Sequence, residues 1–172
     1  MSTVNIECEN IYSNWDIDIA LITKQAHSLY DFLCSQSEIK GNYCLRDYQF
    51  DKVSFDILFC DGNKTHEINK EYRGKDYPAD IITFAVFADS EPEERFILDG
   101  ELNLGEIIIA LDKIEESAKE KGISPEAELA FFIAHGIMHL LGFDHQTEQE
   151  YNFVVKYQKE ALESININYD KV

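Results

Sequence analysis

Three of the chain's five histidines fall within eleven residues, His135-Gly136-Ile137-Met138-His139-Leu140-Leu141-Gly142-Phe143-Asp144-His145. His135 and His139 are four apart, so on a helix their rings project from one face a turn apart, where two imidazoles can share a zinc ion. Gly142 permits the left-handed backbone that ends a helix, and the chain can then double back to carry His145 toward the same point. Three neutral nitrogens leave one tetrahedral position open, which is how a catalytic zinc differs from a structural one. Isolated helix histidines need no such register. The full spacing H-x-x-x-H-x-x-G-x-x-H therefore favours one zinc ion on His135, His139 and His145.

Metzincin peptidases share that spacing, but their motif places a Glu base directly after the first His and a Met beneath the metal, downstream of the third. Here Gly136 occupies the base position, and the only methionines are Met1 and Met138. Without a group to activate its water, a zinc peptidase is the weaker enzymatic reading.

A second constellation is Glu71-Tyr72-Arg73-Gly74-Lys75-Asp76-Tyr77-Pro78-Ala79-Asp80, leading into Ile81-Ile82-Thr83-Phe84. A guanidinium beside a Gly-Lys turn suits phosphate, because its planar fork donates two parallel hydrogen bonds to phosphate oxygens. From Lys64 to Asp76 there are four basic and three acidic residues, the least acidic stretch of an acidic chain. A surface Arg in a loop is the bland alternative for this segment taken alone.

From Ile68 to His145 the chain resembles the bacterial YbeY family of endoribonucleases. Asn69 to Asp76 is similar to that family's N-x-x-Y-R-G-K-D, Asp80 to Phe84 to its D-V-L-S-F strand, and Gly105-Glu106-Ile107 to its G-D-I. His135 to His145 matches its H-G-x-x-H-L-x-G-x-D-H throughout. Ala79, Thr83 and Glu106 stand where Thr, Ser and Asp are usual. The resemblance implies a zincin-like fold, zinc on the three histidines, and catalysis involving Arg73 and His135. It also implies cleavage of single-stranded RNA in 16S rRNA 3′-end maturation and ribosome quality control, in the cytoplasm, with the small ribosomal subunit or its factors as partner.

The expected chemistry is metal-assisted phosphodiester cleavage, with zinc polarising a phosphoryl oxygen or lowering the pKa of water to about 7. Arg73 would stabilise the growing charge and Lys75 would steer the strand. Asp144 is a candidate to orient an imidazole or accept a proton, or simply to close the turn after Gly142. Glu128 shares a helix face with His135 but lies ~10 Å away along the axis, outside the site. Water and the RNA's own 2′-hydroxyl both stand as nucleophiles. The rival from another class is a zinc-binding module without catalysis, its histidines serving folding or ribosomal docking.

The elements that must position these groups follow from periodicity. Thr3–Glu7 and Val53–Phe59 alternate like strands, and Ile81–Val86 and Glu106–Leu111 are β-branched runs. Helices are expected over Asp16–Gln36, with Ile19, Ile22, Ala26, Leu29 and Leu33 on one face, and over about Asn63 to Tyr72. Asp112-x-x-Glu115 reads as a capping box opening a helix that ends at Gly122, and Ser124 with Pro125 starts another running through Leu140. That helix is apolar nearly all round and should be buried. Thr147-x-x-Glu150 opens a last helix. Asp89–Glu101, with six acids and one Arg, reads as a solvated loop or edge. The fold class is α+β: a small mixed sheet of about four strands packed with helices, in one domain over residues 1–172.

Composition limits the partners. The 172 residues carry 15 Lys and Arg against 33 Asp and Glu, a formal charge of −18, yet 45% are hydrophobic, enough for a core. Such a surface excludes sequence-independent grip on nucleic acid through clustered cations, but not a nuclease working through one metal ion and a few local cations. The N-terminus lacks the pattern of a signal peptide, no run suits a membrane span, and the expectation is a cytosolic monomer. Cys8, Cys34, Cys44 and Cys60 have no metal or disulfide spacing and read as free thiols.

Overall fold

A computed structural model describes residues 2–169. Four strands form one sheet in the order β1-β2-β4-β3: β1 (Thr3–Asn10), β2 (Lys52–Cys60), β3 (Ile81–Phe84) and β4 (Glu101–Ala110). β1, β2 and β4 run parallel, and β3 lies antiparallel on the β4 edge. The helices are α1 (Ile19–Ser35), the short α2 (Ser37–Lys40), α3 (Gly62–Arg73), α4 (Leu111–Lys121), α5 (Pro125–Leu140) and α6 (Glu148–Ser164). This is the α+β mixed sheet with helices that the periodicity predicts.

One face of the sheet makes the main core. Val53, Phe55, Ile57 and Phe59 of β2 and Leu102, Leu104, Ile107 and Ile109 of β4 point under the layer of α1, α5 and α6. Ser54 pairs with Asn103 but Phe55 with Gly105. The bulge switches the inward positions of β4 from even to odd, so no single alternation runs through the strand. β4 begins at Glu101 and not at the expected Glu106, its first half hidden by the bulge, and the expected acidic loop ends one residue inside a strand. The rest of that segment wraps around Arg95, which donates to the Phe87, Ala88 and Ser90 carbonyls and lies over the Phe87 and Tyr48 rings. β3 is shorter than expected, ending at Phe84, which pairs with Glu106 beside the bulge.

The opposite face is covered only in part. α3 lays Ile68 over Ile82, Ile108 and Cys60, and beyond it Glu7, Asp56 and Glu106 stand in one cross-strand row.

Local capping follows the sequence at two helices and departs from it at a third. Ser124 and Thr147 accept from the backbone N–H of Ala127 and Glu150, as expected of N-caps. Asp112 is not an N-cap: β4 runs directly into α4, which begins at Leu111 behind Ala110, so Asp112 already lies in the first turn. Its carboxylate instead accepts from the Gly62 N–H at 2.8 Å, joining α4 to the start of α3. The four cysteines are unpaired, and among the described residues no helix is long and apolar enough to cross a membrane.

Candidate metal centre

α5 is the central helix, packed against α1, α4, α6, β3 and β4. Gly136 sits where it crosses β4, and a Cβ there would come within 2.8 Å of two Ile107 side-chain carbons. The position after the first histidine therefore faces the sheet, away from any substrate, and close packing excludes a Glu base there. His135 and His139 lie about 100° and 60° around the helix from it, both in the same sense, and line the cleft beside the sheet.

The helix ends in a Schellman motif. Phe143 N–H donates to the Met138 carbonyl and Gly142 N–H to the His139 carbonyl, with Gly142 at φ +101°. The reversal brings His145 back onto the helical pair, with ring centroids 5.1 Å from His135 and 5.0 Å from His139. Asp144 holds this turn: its Oδ1 accepts from the His145 N–H at 2.8 Å and its Oδ2 from Gln146 Nε2 at 2.9 Å. These hydrogen bonds span the turn after Gly142.

The three imidazoles could hold a metal ion. One nitrogen from each lies within 4.8 Å of the others, and the Nε2 atoms of His135 and His139 are 3.1 Å apart. Tetrahedral ligands at 2.0–2.1 Å from zinc stand about 3.4 Å apart, so small ring movements satisfy the ion. Burial and the neighbouring imidazoles push the His139 pKa down to about 4, and burial also lowers His135, so both rings are neutral and ligand-ready at pH 7.

Gln158 of α6 is the site residue that spacing could not reveal. Its Nε2 donates to the Phe131 carbonyl at 3.2 Å, which leaves Oε1 facing His135 Nδ1 at 3.1 Å. His135 Nδ1–H is the donor in that pair, so its Nε2 lone pair points to the shared centre. Gln158 is 1% exposed. Its sequence signal is only a polar residue on the apolar face of α6, between Tyr157 and Ala161.

Arg73, the last residue of α3, reaches the same cleft. It lines a recess of about 460 Å³ together with Thr83, Asp89 and the three histidines. Lys75, two residues further on and exposed, is not among the residues lining it. Glu128 lies elsewhere: fully buried, it accepts from Ser117 Oγ and Tyr169 OH, both at 2.6 Å, and pairs with Lys121 at 2.8 Å. It ties α5 to α4 and to the segment after α6.

The profile of the family described as "Endoribonuclease YbeY" matches residues 7–166. The chain belongs to that family. It is 34% identical over 151 residues to the endoribonuclease YbeY of Bacillus thuringiensis, covering 81% of this chain and 97% of the relative. The Bacillus licheniformis endoribonuclease YbeY is 45% identical over 113 residues, 65% of this chain and 72% of that one. Among solved structures, TM1509 from Thermotoga maritima superposes with a TM-score of 0.54 at 22% identity, spanning 98% of this chain and 99% of that one, which bears on the fold alone.

Proposed function

We propose that this chain is a zinc-dependent, single-strand-specific endoribonuclease acting in 16S rRNA 3′-end maturation and ribosome quality control. The observation that carries the reading is the convergence of His135, His139, His145 and Arg73 on one cleft of a YbeY-family chain. A zinc ion on the three imidazoles would supply a Lewis acid to polarise a phosphoryl oxygen, or a water of lowered pKa.

The chain's own groups do the rest. The Arg73 guanidinium donates to the non-bridging phosphoryl oxygens and stabilises the charge that grows on them. Gln158 holds the His135 ring in the orientation and tautomer a ligand needs. Asp144 fixes the turn that presents His145. Lys75, exposed and two residues beyond Arg73, would steer the strand. Gly136 offers no carboxylate base, which disfavours peptide hydrolysis and leaves water and the 2′-hydroxyl as nucleophiles. With a formal charge of −18, intrinsic affinity for RNA is weak and its salt dependence shallow, so delivery of the strand by the small ribosomal subunit fits the surface.

The test is cleavage of single-stranded and duplex RNA, with and without chelator, by the native protein, Arg73→Ala and His139→Ala. Zinc-dependent cutting of the single strand alone, lost in both variants, supports the reading. Cutting of casein in place of RNA would favour the peptidase. Products ending in 2′,3′-cyclic phosphate would assign the nucleophile to the 2′-hydroxyl.

A further inference from the structure

Beside the histidine cleft, a smaller recess of about 190 Å³ opens in the groove between α5 and α6. Phe132 and His135 are three apart on α5, and Tyr151, Val155 and Gln158 follow at intervals of four and three on α6, so each set lies on one helix face. Ile81 of β3 also lines it, and Ile81 and His135 are common to both recesses. The polar groups inside are already engaged, since Gln158 bonds His135 and the Phe131 carbonyl. At the rim, Lys121 pairs with Glu128. Tyr151 is 54% exposed, an aromatic ring at the mouth of an apolar slot.

We infer that this recess seats one nucleobase of the RNA, that of a nucleotide flanking the phosphate held at the histidine cleft. The inference rests on the endoribonuclease reading and deepens it. A strand whose phosphate lies against His135 places an adjoining base beside the shared wall formed by His135 and Ile81. The acidic surface cannot grip the sugar-phosphate backbone, whereas a base is a neutral planar ring, and each base stacked on an aromatic side chain contributes about 1–3 kcal/mol regardless of sequence. Bases in a duplex are paired and stacked on one another, so only an unpaired strand can offer one. The recess thus gives a physical source for single-strand preference. With its polar atoms occupied, it reads stacking surface and not base edges, and the four bases are accepted nearly alike.

The experiment measures kcat/KM for zinc-loaded native protein, Tyr151→Ala and Tyr151→Phe on one single-stranded RNA, intact or with a single abasic residue moved along it. Tyr151→Ala should cost about tenfold on intact RNA and Tyr151→Phe almost nothing. One abasic position next to the cut should cost the native protein a similar factor, and at that position Tyr151→Ala should add no further loss, the mark of a shared interaction. Because Tyr151 is exposed, neither variant endangers folding; Val155→Trp, which fills the slot, should reproduce the loss. Equal loss by Tyr151→Ala on intact and abasic RNA, or none on either, overturns the base site while leaving the nuclease reading intact. Absence of any RNA cleavage by the native protein overturns both.

Discussion

Gln158 Oε1 accepts from His135 Nδ1 at 3.1 Å, across 23 residues of sequence, while Gln158 Nε2 is spent on the Phe131 carbonyl. A single buried amide thus fixes which nitrogen of the first histidine faces the shared centre.

The first prediction concerns that amide. Gln158→Leu should weaken zinc binding about 10- to 100-fold, the usual cost of losing the hydrogen-bond partner of a ligating imidazole. Gln158→Glu keeps an acceptor at the same place and should retain more of the affinity. Competition with a chelating dye measures both, and equal affinity for native and Gln158→Leu would remove Gln158 from the site.

The second concerns Gly136. A methyl group there would meet Ile107, which is fully buried in the sheet. Gly136→Ala should therefore destabilise the fold by about 1–3 kcal/mol through overpacking, seen as a lower denaturant midpoint at unchanged slope. Gly136→Glu, which would install the peptidase base by sequence alone, should unfold the protein before it yields any proteolysis. An unchanged midpoint for Gly136→Ala would mean that α5 can lift from β4 at little cost.

The histidines and Gly142 were legible because helix periodicity and the Schellman turn are local rules that act within eleven residues. Gln158 was not, because its role depends on how α6 packs beside α5, and no spacing encodes a contact between helices. The bulge at Gly105 hid the start of β4 by breaking its alternation among acidic residues. Asp112 differs for another reason: its carboxylate accepts from the Gly62 N–H at the start of α3, a helix capped by Asp61, so its partner lies fifty residues away and not in its own helix. The motif segment around Arg73 was readable as a phosphate site, yet only the fold brings it into the histidine cleft.

The third prediction concerns the carboxylates in a row. Glu7 pairs with Asp56 and Asp56 with Glu106 across three parallel strands. Burial first, then the neighbouring acids, raises the pKa of both Asp56 and Glu106. A carboxyl whose folded pKa is raised binds its proton more tightly folded than unfolded. Stability therefore falls as pH rises from the ordinary carboxylate value through the raised one, and remains lower above it. Glu106→Gln should raise the thermal midpoint at pH 7 by the equivalent of a few tenths to about 1 kcal/mol. The gain should fade as pH is lowered through the carboxylate range. A gain independent of pH would show that the charge is not its cause, and a loss at pH 7 would show that Glu106 is held by attraction and not strained by repulsion.

The last prediction separates a catalytic metal from a structural one. His135, His139 and His145 stand at the end of α5, partly exposed or exposed, whereas Leu129, Ile133, Ile137 and Met138 of the same helix are fully buried in the core. The apolar packing of α5 does not pass through the imidazoles, so the helix keeps its place without an ion. Chelation should abolish RNA cleavage yet leave the far-ultraviolet circular dichroism and cooperative unfolding intact. The thermal midpoint should drop only by what ligand binding contributes, about 2.7 kcal/mol at a free zinc concentration of 100 times Kd. A zinc module that depends on its ion for folding would instead lose its helical signal on chelation, as small zinc-folded domains do. Restored cleavage on adding zinc back to a chelated, still folded protein would complete the distinction, because an ion on which the fold depends could not be removed with the fold intact.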